Sequence, residues 1–143
     1  MRQNFDVKGG PQLGRTNLPK LRDAMKAHGL DGFYIPHEDE YQNEYLPACN
    51  DRLTWATGFT GSAGAAMVFQ DMAVIFADGR YTLQVRDQID VNDYDIAQYT
   101  DIHPGQWAAD NLKPNMKCAI DPKLFTMHFK LKSHAIRVCF VLC

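Results

Sequence analysis

Two apolar runs, Ala65-Ala66-Met67-Val68-Phe69 and Met72-Ala73-Val74-Ile75-Phe76, are separated only by Gln70-Asp71. Runs of this length joined by a two-residue polar link predict an antiparallel β-hairpin, and every other element must be arranged around it. Gln-Asp has no glycine to favour a primed turn, so the turn type stays open. Upstream, Leu18, Leu21 and Met25 oppose Lys20, Arg22 and Lys26. That pattern predicts a short amphipathic helix that starts after Asn17 as N-cap and ends near Gly29. The Gly/Pro-marked opening, 1–17, is expected to be extended or flexible. Residues 30–36 read as a buried strand centred on Gly32-Phe33-Tyr34-Ile35. Tyr41, Tyr45 and Leu46 at helical spacing predict a helix within 38–49, with Pro47 as its stop.

Beyond the hairpin, Asp78 can cap a helix whose first turn is Gly79-Arg80-Tyr81 and whose apolar positions are Tyr81, Leu83, Val85 and Ile89. A strand is expected at 94–99. A helix should start at His103-Pro104-Gly105 and carry Trp107, Ala108 and Leu112, before a short strand at 116–120. Helix and strand therefore alternate around one mixed sheet, an α/β signature.

The chain's 143 residues are the length of one ordinary domain. A net charge of -2 and the lack of a polybasic run argue against a nucleic-acid surface. No apolar stretch approaches the roughly 20 residues of a membrane span, and the first ten residues lack the apolar core of a secretory signal. Cys49, Cys118, Cys139 and Cys143 show no C-x-x-C spacing. They read as reduced thiols of a cytoplasmic protein rather than a zinc or redox site.

Glycines at 58, 61 and 64 invite a phosphate-loop reading. Their spacing fits neither the dinucleotide fingerprint nor the P-loop, and they precede a strand where those motifs open a helix. Close packing and positive φ are the simpler explanation. Ser62 lacks the G-x-S-x-G elbow of a nucleophile and reads as structural. His28, His37, His103, His128 and His134 form no metal-binding pair, and His37-Glu38-Asp39-Glu40 reads as a solvated helix start. Arg80 follows Asp-Gly at the end of a hydrophobic strand, where a rigid backbone can present its guanidinium fork to a carboxylate or a peptide carbonyl. A structural ion pair with Asp78 is the competing reading. Arg52 and Trp55 stay equally ambiguous between structure and function.

Taken together, Ile35-Pro36, Glu44-Tyr45, Arg52, the run from Thr57 through Gly58-Phe59-Thr60-Gly61-Ser62-Ala63-Gly64, and Asp78-Gly79-Arg80-Tyr81 with Gln84 resemble the N-terminal domain of Xaa-Pro aminopeptidases of the creatinase/prolidase type. The resemblance implies a mixed β-sheet flanked by helices on both faces, with ribonuclease H-like architecture, over 18–128. It implies a parent enzyme that removes the N-terminal residue preceding a proline, using two divalent metals, manganese by family habit, in a pita-bread domain absent from these 143 residues. On that view the chain alone carries no metal ligand and no catalytic residue. It would shape substrate access, contribute dimer contacts to a homo-oligomer, and contact a peptide with proline at its second position through Arg80. The apolar stretch within 129–143 departs from the family pattern and is expected to be an atypical tail. A stand-alone binding module, or a pseudoenzyme partner, is the alternative.

Overall fold

The computed structural model describes residues 8–124. Strands β1 (Gly32–Pro36), β2 (Gly64–Phe69), β3 (Ala73–Ala77), β4 (Asp95–Gln98) and β5 (Cys118–Ala119) form one sheet in the order β4-β3-β2-β1-β5. β2 runs antiparallel to both neighbours, whereas β4 and β5 pair in parallel with β3 and β1. The sheet is mixed, as expected, and the hairpin lies at its centre. Val68 pairs with Ala73, and Phe69 N donates to Met72 O at 2.7 Å to close the link over Gln70-Asp71.

Helices α1 (Pro11–Ala27), α2 (Arg52–Thr57), α3 (Thr82–Gln88) and α4 (Pro104–Asn111) cover the sheet. Alternate side chains of β2 and β3 leave the pleat on opposite faces. Ala66, Val68, Ala73, Ile75 and Ala77 join Leu18 and Met25 of α1, Leu53 and Ala56 of α2, and Val85 of α3 in one buried cluster. Met67, Phe69, Val74 and Phe76 join Ala108 of α4, with Trp107 and Leu112 packed alongside. Helices on both faces explain why the hairpin strands are apolar throughout instead of alternating.

Three expected elements differ. The helix expected from Asp78 opens as a 3-10 turn, Gly79–Tyr81, so that α3 proper starts at Thr82, and Leu83 of its expected apolar stripe is exposed. α1 begins at Pro11, not after Asn17, so the opening is not extended as far as 17. Proline suits the first helical turn, where no intrahelical donor is needed. The entry is fixed from outside the helix by Gly10 N, which donates to Gly58 O at 3.0 Å. Asn17 is no cap: it is buried within the helix, and its Nδ2 donates to Trp55 O of α2 at 2.9 Å. The two helices approach closely, since a Cβ on Gly14 would lie 3.0 Å from Thr57 O.

The helix expected within 38–49 does not form, and the segment is a loop. Asp39, only 1% exposed, accepts hydrogen bonds from Tyr41 N at 3.0 Å and from Asn43 N at 3.1 Å. An aspartate side chain that captures nearby amides offers the backbone an alternative to the helix. Gln42 then takes φ +59°, outside the right-handed region. The tyrosines expected to form an apolar helix face are 76% (Tyr41) and 84% (Tyr45) exposed. The expected tail at 129–143 lies outside the described residues.

Candidate functional site

The glycine segment is built by α2. Asp51 caps this helix by accepting from Thr54 N at 3.2 Å, and Gly58 ends it with φ +88°. A Cβ on Gly58 would sit 2.1 Å from Gly10 O, so glycine is required where the chain crosses the entry to α1. The segment then folds over the Phe59 ring, leaving only 2.2 Å for a Cβ on Gly61. Thr60 N donates to Gln88 Oε1 at 2.9 Å, and Gln88 Nε2 donates back to Thr60 Oγ1 at 2.8 Å, which ties the loop to α3. These small residues serve close packing and lead into β2.

β3 delivers the second half of the site. Asp78 caps the 3-10 turn Gly79–Tyr81, its Oδ1 accepting from Arg80 N at 3.0 Å and from Arg80 Nε at 2.8 Å. The ion pair weighed from the sequence is therefore present. These bonds from Arg80 hold the Asp78 carboxyl below its usual range, and the same contact raises the Arg80 guanidinium, with a smaller contribution from Glu44. The guanidinium carbon lies 5.5 Å from the Tyr81 ring centroid. Asp78 thus occupies the Nε edge and Tyr81 underlies the group, while no acceptor among the described residues reaches Nη1 or Nη2. The side chain is 67% exposed, so this terminal fork is open to a ligand.

Tyr81 is itself held. Its ring meets Phe59 edge-on at 5.6 Å, and its hydroxyl lies 2.8 Å from Ser62 Oγ. Ser62 Oγ donates its one proton to Glu44 Oε1 at 2.9 Å, which makes Tyr81 the donor to Ser62. Ser62 is a bridging hydroxyl between a carboxylate and a phenol, not a nucleophile beside an imidazole. Next to it, Lys8, His37, Glu44, Tyr45 and Asp51 line an open cleft of about 480 Å³. His37 Nε2 lies 2.9 Å from the Glu44 carbonyl and steadies the loop that carries this carboxylate.

The structure thus links Arg80, through the Tyr81 ring beneath it, to Ser62 and to Glu44, whose role sequence reasoning missed. Arg52 Nη1 instead donates to Asn50 O at 3.3 Å, and Trp55 is half exposed on α2. His28 ends α1 and His103 caps α4, so neither joins His37. His128 and His134 lie outside the described residues. Among the described residues no group of three His, Cys, Asp or Glu side chains could hold a metal ion, so they do not fit the two-metal centre. Nor is any helix among them long and apolar enough to cross a membrane.

The creatinase/prolidase N-terminal domain family matches residues 17–139. The chain belongs to that family. Its relatives include a protein of Arthroderma otae named a probable Xaa-Pro aminopeptidase P, 34% identical over 128 residues, which cover 88% of this chain and 20% of the relative. Among solved structures, the X-prolyl aminopeptidase of Caenorhabditis elegans, described as a cytosolic enzyme with a di-nuclear active site, superposes with a TM-score of 0.77 at 25% identity, over 84% of this chain and 22% of that one. A creatinase/prolidase-like N-terminal domain from Corynebacterium diphtheriae shares the fold, with a TM-score of 0.63 at 16% identity, over 90% of this chain and 97% of that one. This creatinase-type chain therefore spans about a fifth of the length of its first full-length relatives, and its fold makes up nearly the whole of another solved chain.

Proposed function

We propose that this creatinase-type domain is the non-catalytic N-terminal part of a cytoplasmic metalloaminopeptidase that releases the residue preceding proline. In this reading, hydrolysis belongs to a pita-bread domain with two divalent metals, manganese by family habit. The present domain shapes access to that centre, contributes contacts to a homodimer, and binds the peptide through Arg80. The observation that carries the reading is the Arg80 guanidinium, fixed on one edge by Asp78 and left open at its terminal fork. A planar fork of this kind suits peptide carbonyls and carboxylates, and orienting a substrate can accelerate a reaction performed by groups elsewhere.

The test is Arg80→Ala in the full-length peptidase, assayed on a peptide with proline at the second position. We expect kcat/KM to fall about tenfold, as for loss of a hydrogen bond to a charged group, with bound metal unchanged by elemental analysis. Unchanged kcat/KM would remove Arg80 from the substrate site.

A further inference from the structure

The contact between Arg80 and Tyr81 is unusual for its spacing. Adjacent residues on a helical turn do not face one another, so a guanidinium stacks on the next side chain only if both are turned toward each other and held there. Both restraints are present. Asp78 holds the Nε edge of Arg80 at 2.8 Å. The Tyr81 ring is held at its side by Phe59 at 5.6 Å and at its tip by Ser62, whose hydroxyl is committed in turn to Glu44.

The contacts draw on three segments of the chain: the loop after β1 supplies Glu44, the glycine segment supplies Phe59 and Ser62, and the turn after β3 supplies Asp78 and Tyr81 itself. The geometry points to Tyr81 as a positioning residue: its hydroxyl, latched through Ser62 to Glu44, holds the ring as the platform on which the Arg80 fork is aimed. An aromatic face beneath a guanidinium attracts it without using any of its five N–H donors. Asp78 takes the Nε donor, and the terminal donors stay available. Removing the hydroxyl leaves the ring and its Phe59 contact but frees the ring to swing, and the cation loses its fixed support.

This inference rests on the reading of Arg80 as a peptide-binding group, and its test separates the two. In the 143-residue chain labelled with ¹⁵N at arginine, the Arg80 Nε–Hε resonance reports the ring current of Tyr81 and the order of the guanidinium. Tyr81→Ala defines its position without a ring. We expect Tyr81→Phe and Ser62→Ala each to move the resonance toward that position and to lower its order parameter, with the backbone amide spectrum otherwise retained. A resonance unmoved in both variants overturns the proposal.

In the full-length peptidase, Tyr81→Phe should raise KM about fivefold with kcat unchanged, the scale of one lost hydrogen bond. It should add nothing further to Arg80→Ala. An equal effect of Tyr81→Phe with and without Arg80 would also overturn the platform role, because the two residues would then act independently. If Arg80→Ala leaves kcat/KM unchanged while the resonance moves as expected, the peptide-binding reading falls and the platform stands.

Discussion

Asp39 shows how one side chain decides the course of a loop. Burial opposes its charge, yet hydrogen bonds from Asn43 and Tyr41 outweigh that and hold its carboxyl below the ordinary value of 3.8. A depressed folded-state pKa contributes stability that is complete above the unfolded value and is lost as pH falls through the folded one. The same sign applies to Asp90, held low by Asn92 N–H and by its ion pair with Arg15, and to Asp78. Thermal melting should therefore shift downward as pH drops below about 4. Asp39→Asn keeps one acceptor for the amides of Tyr41 and Asn43 but gives Asn43 Nδ2 a donor to face, where the native contact is 3.2 Å. This variant should melt lower than the native protein at pH 7, with a difference that narrows toward pH 3. A constant difference over that range would show that the carboxylate charge is not what organises the loop.

At the scale of elements, the sheet depends on layers contributed by both helical faces. Phe76 is fully buried between β3 and α4, with Trp107 edge-on at 6.0 Å and Tyr99 at 6.2 Å. Phe76→Ala would leave a large cavity at the centre of that layer, and we expect it to cost about 3–5 kcal/mol in urea unfolding. A loss below about 1 kcal/mol would mean that α4 collapses onto the gap or contributes little.

The hairpin and α4 are legible in the sequence because their signals are local: two apolar runs, and proline after His103; the Asp78 cap marks the right turn but not the start of α3, which begins only at Thr82. The start of α1 is not, because the chain enters it through a hydrogen bond from Gly10 to Gly58, 48 positions away in sequence but adjacent in space. The 38–49 loop is misread for a related reason, since helical spacing of Tyr41 and Tyr45 says nothing about amides captured by Asp39. The turn motif alone marks Arg80 as an ion-pair partner of Asp78 or a ligand contact, and of these the ion pair is observed. Its aromatic support is not marked there, because residues 44, 62 and 81 meet only once the loop, the glycine segment and α3 are assembled.

For the whole molecule, the thin edge at β5 is a sensitive point. Cys118 lies buried in this two-residue strand, and burial, with Asp31 adding to it, pushes its thiol up to about 12. Because the thiolate is the reactive form, iodoacetamide at pH 8 should spare Cys118 while modifying the exposed Cys49, as read by peptide mass mapping. Equal labelling of both cysteines in the native state would show that the edge opens readily. β5 also pairs with a strand formed far earlier in the chain: Lys117 N donates to Asp31, 86 positions upstream, at 2.7 Å. β2 and β3 meet across Gln70-Asp71 and β1 joins β2 across residues 37–63, whereas this edge requires closure of the still longer loop 37–117. A nascent chain would therefore complete its three central strands well before β5 leaves the ribosome, and during that interval the outer edge of β1 would offer unpaired amides and carbonyls to any other extended segment nearby.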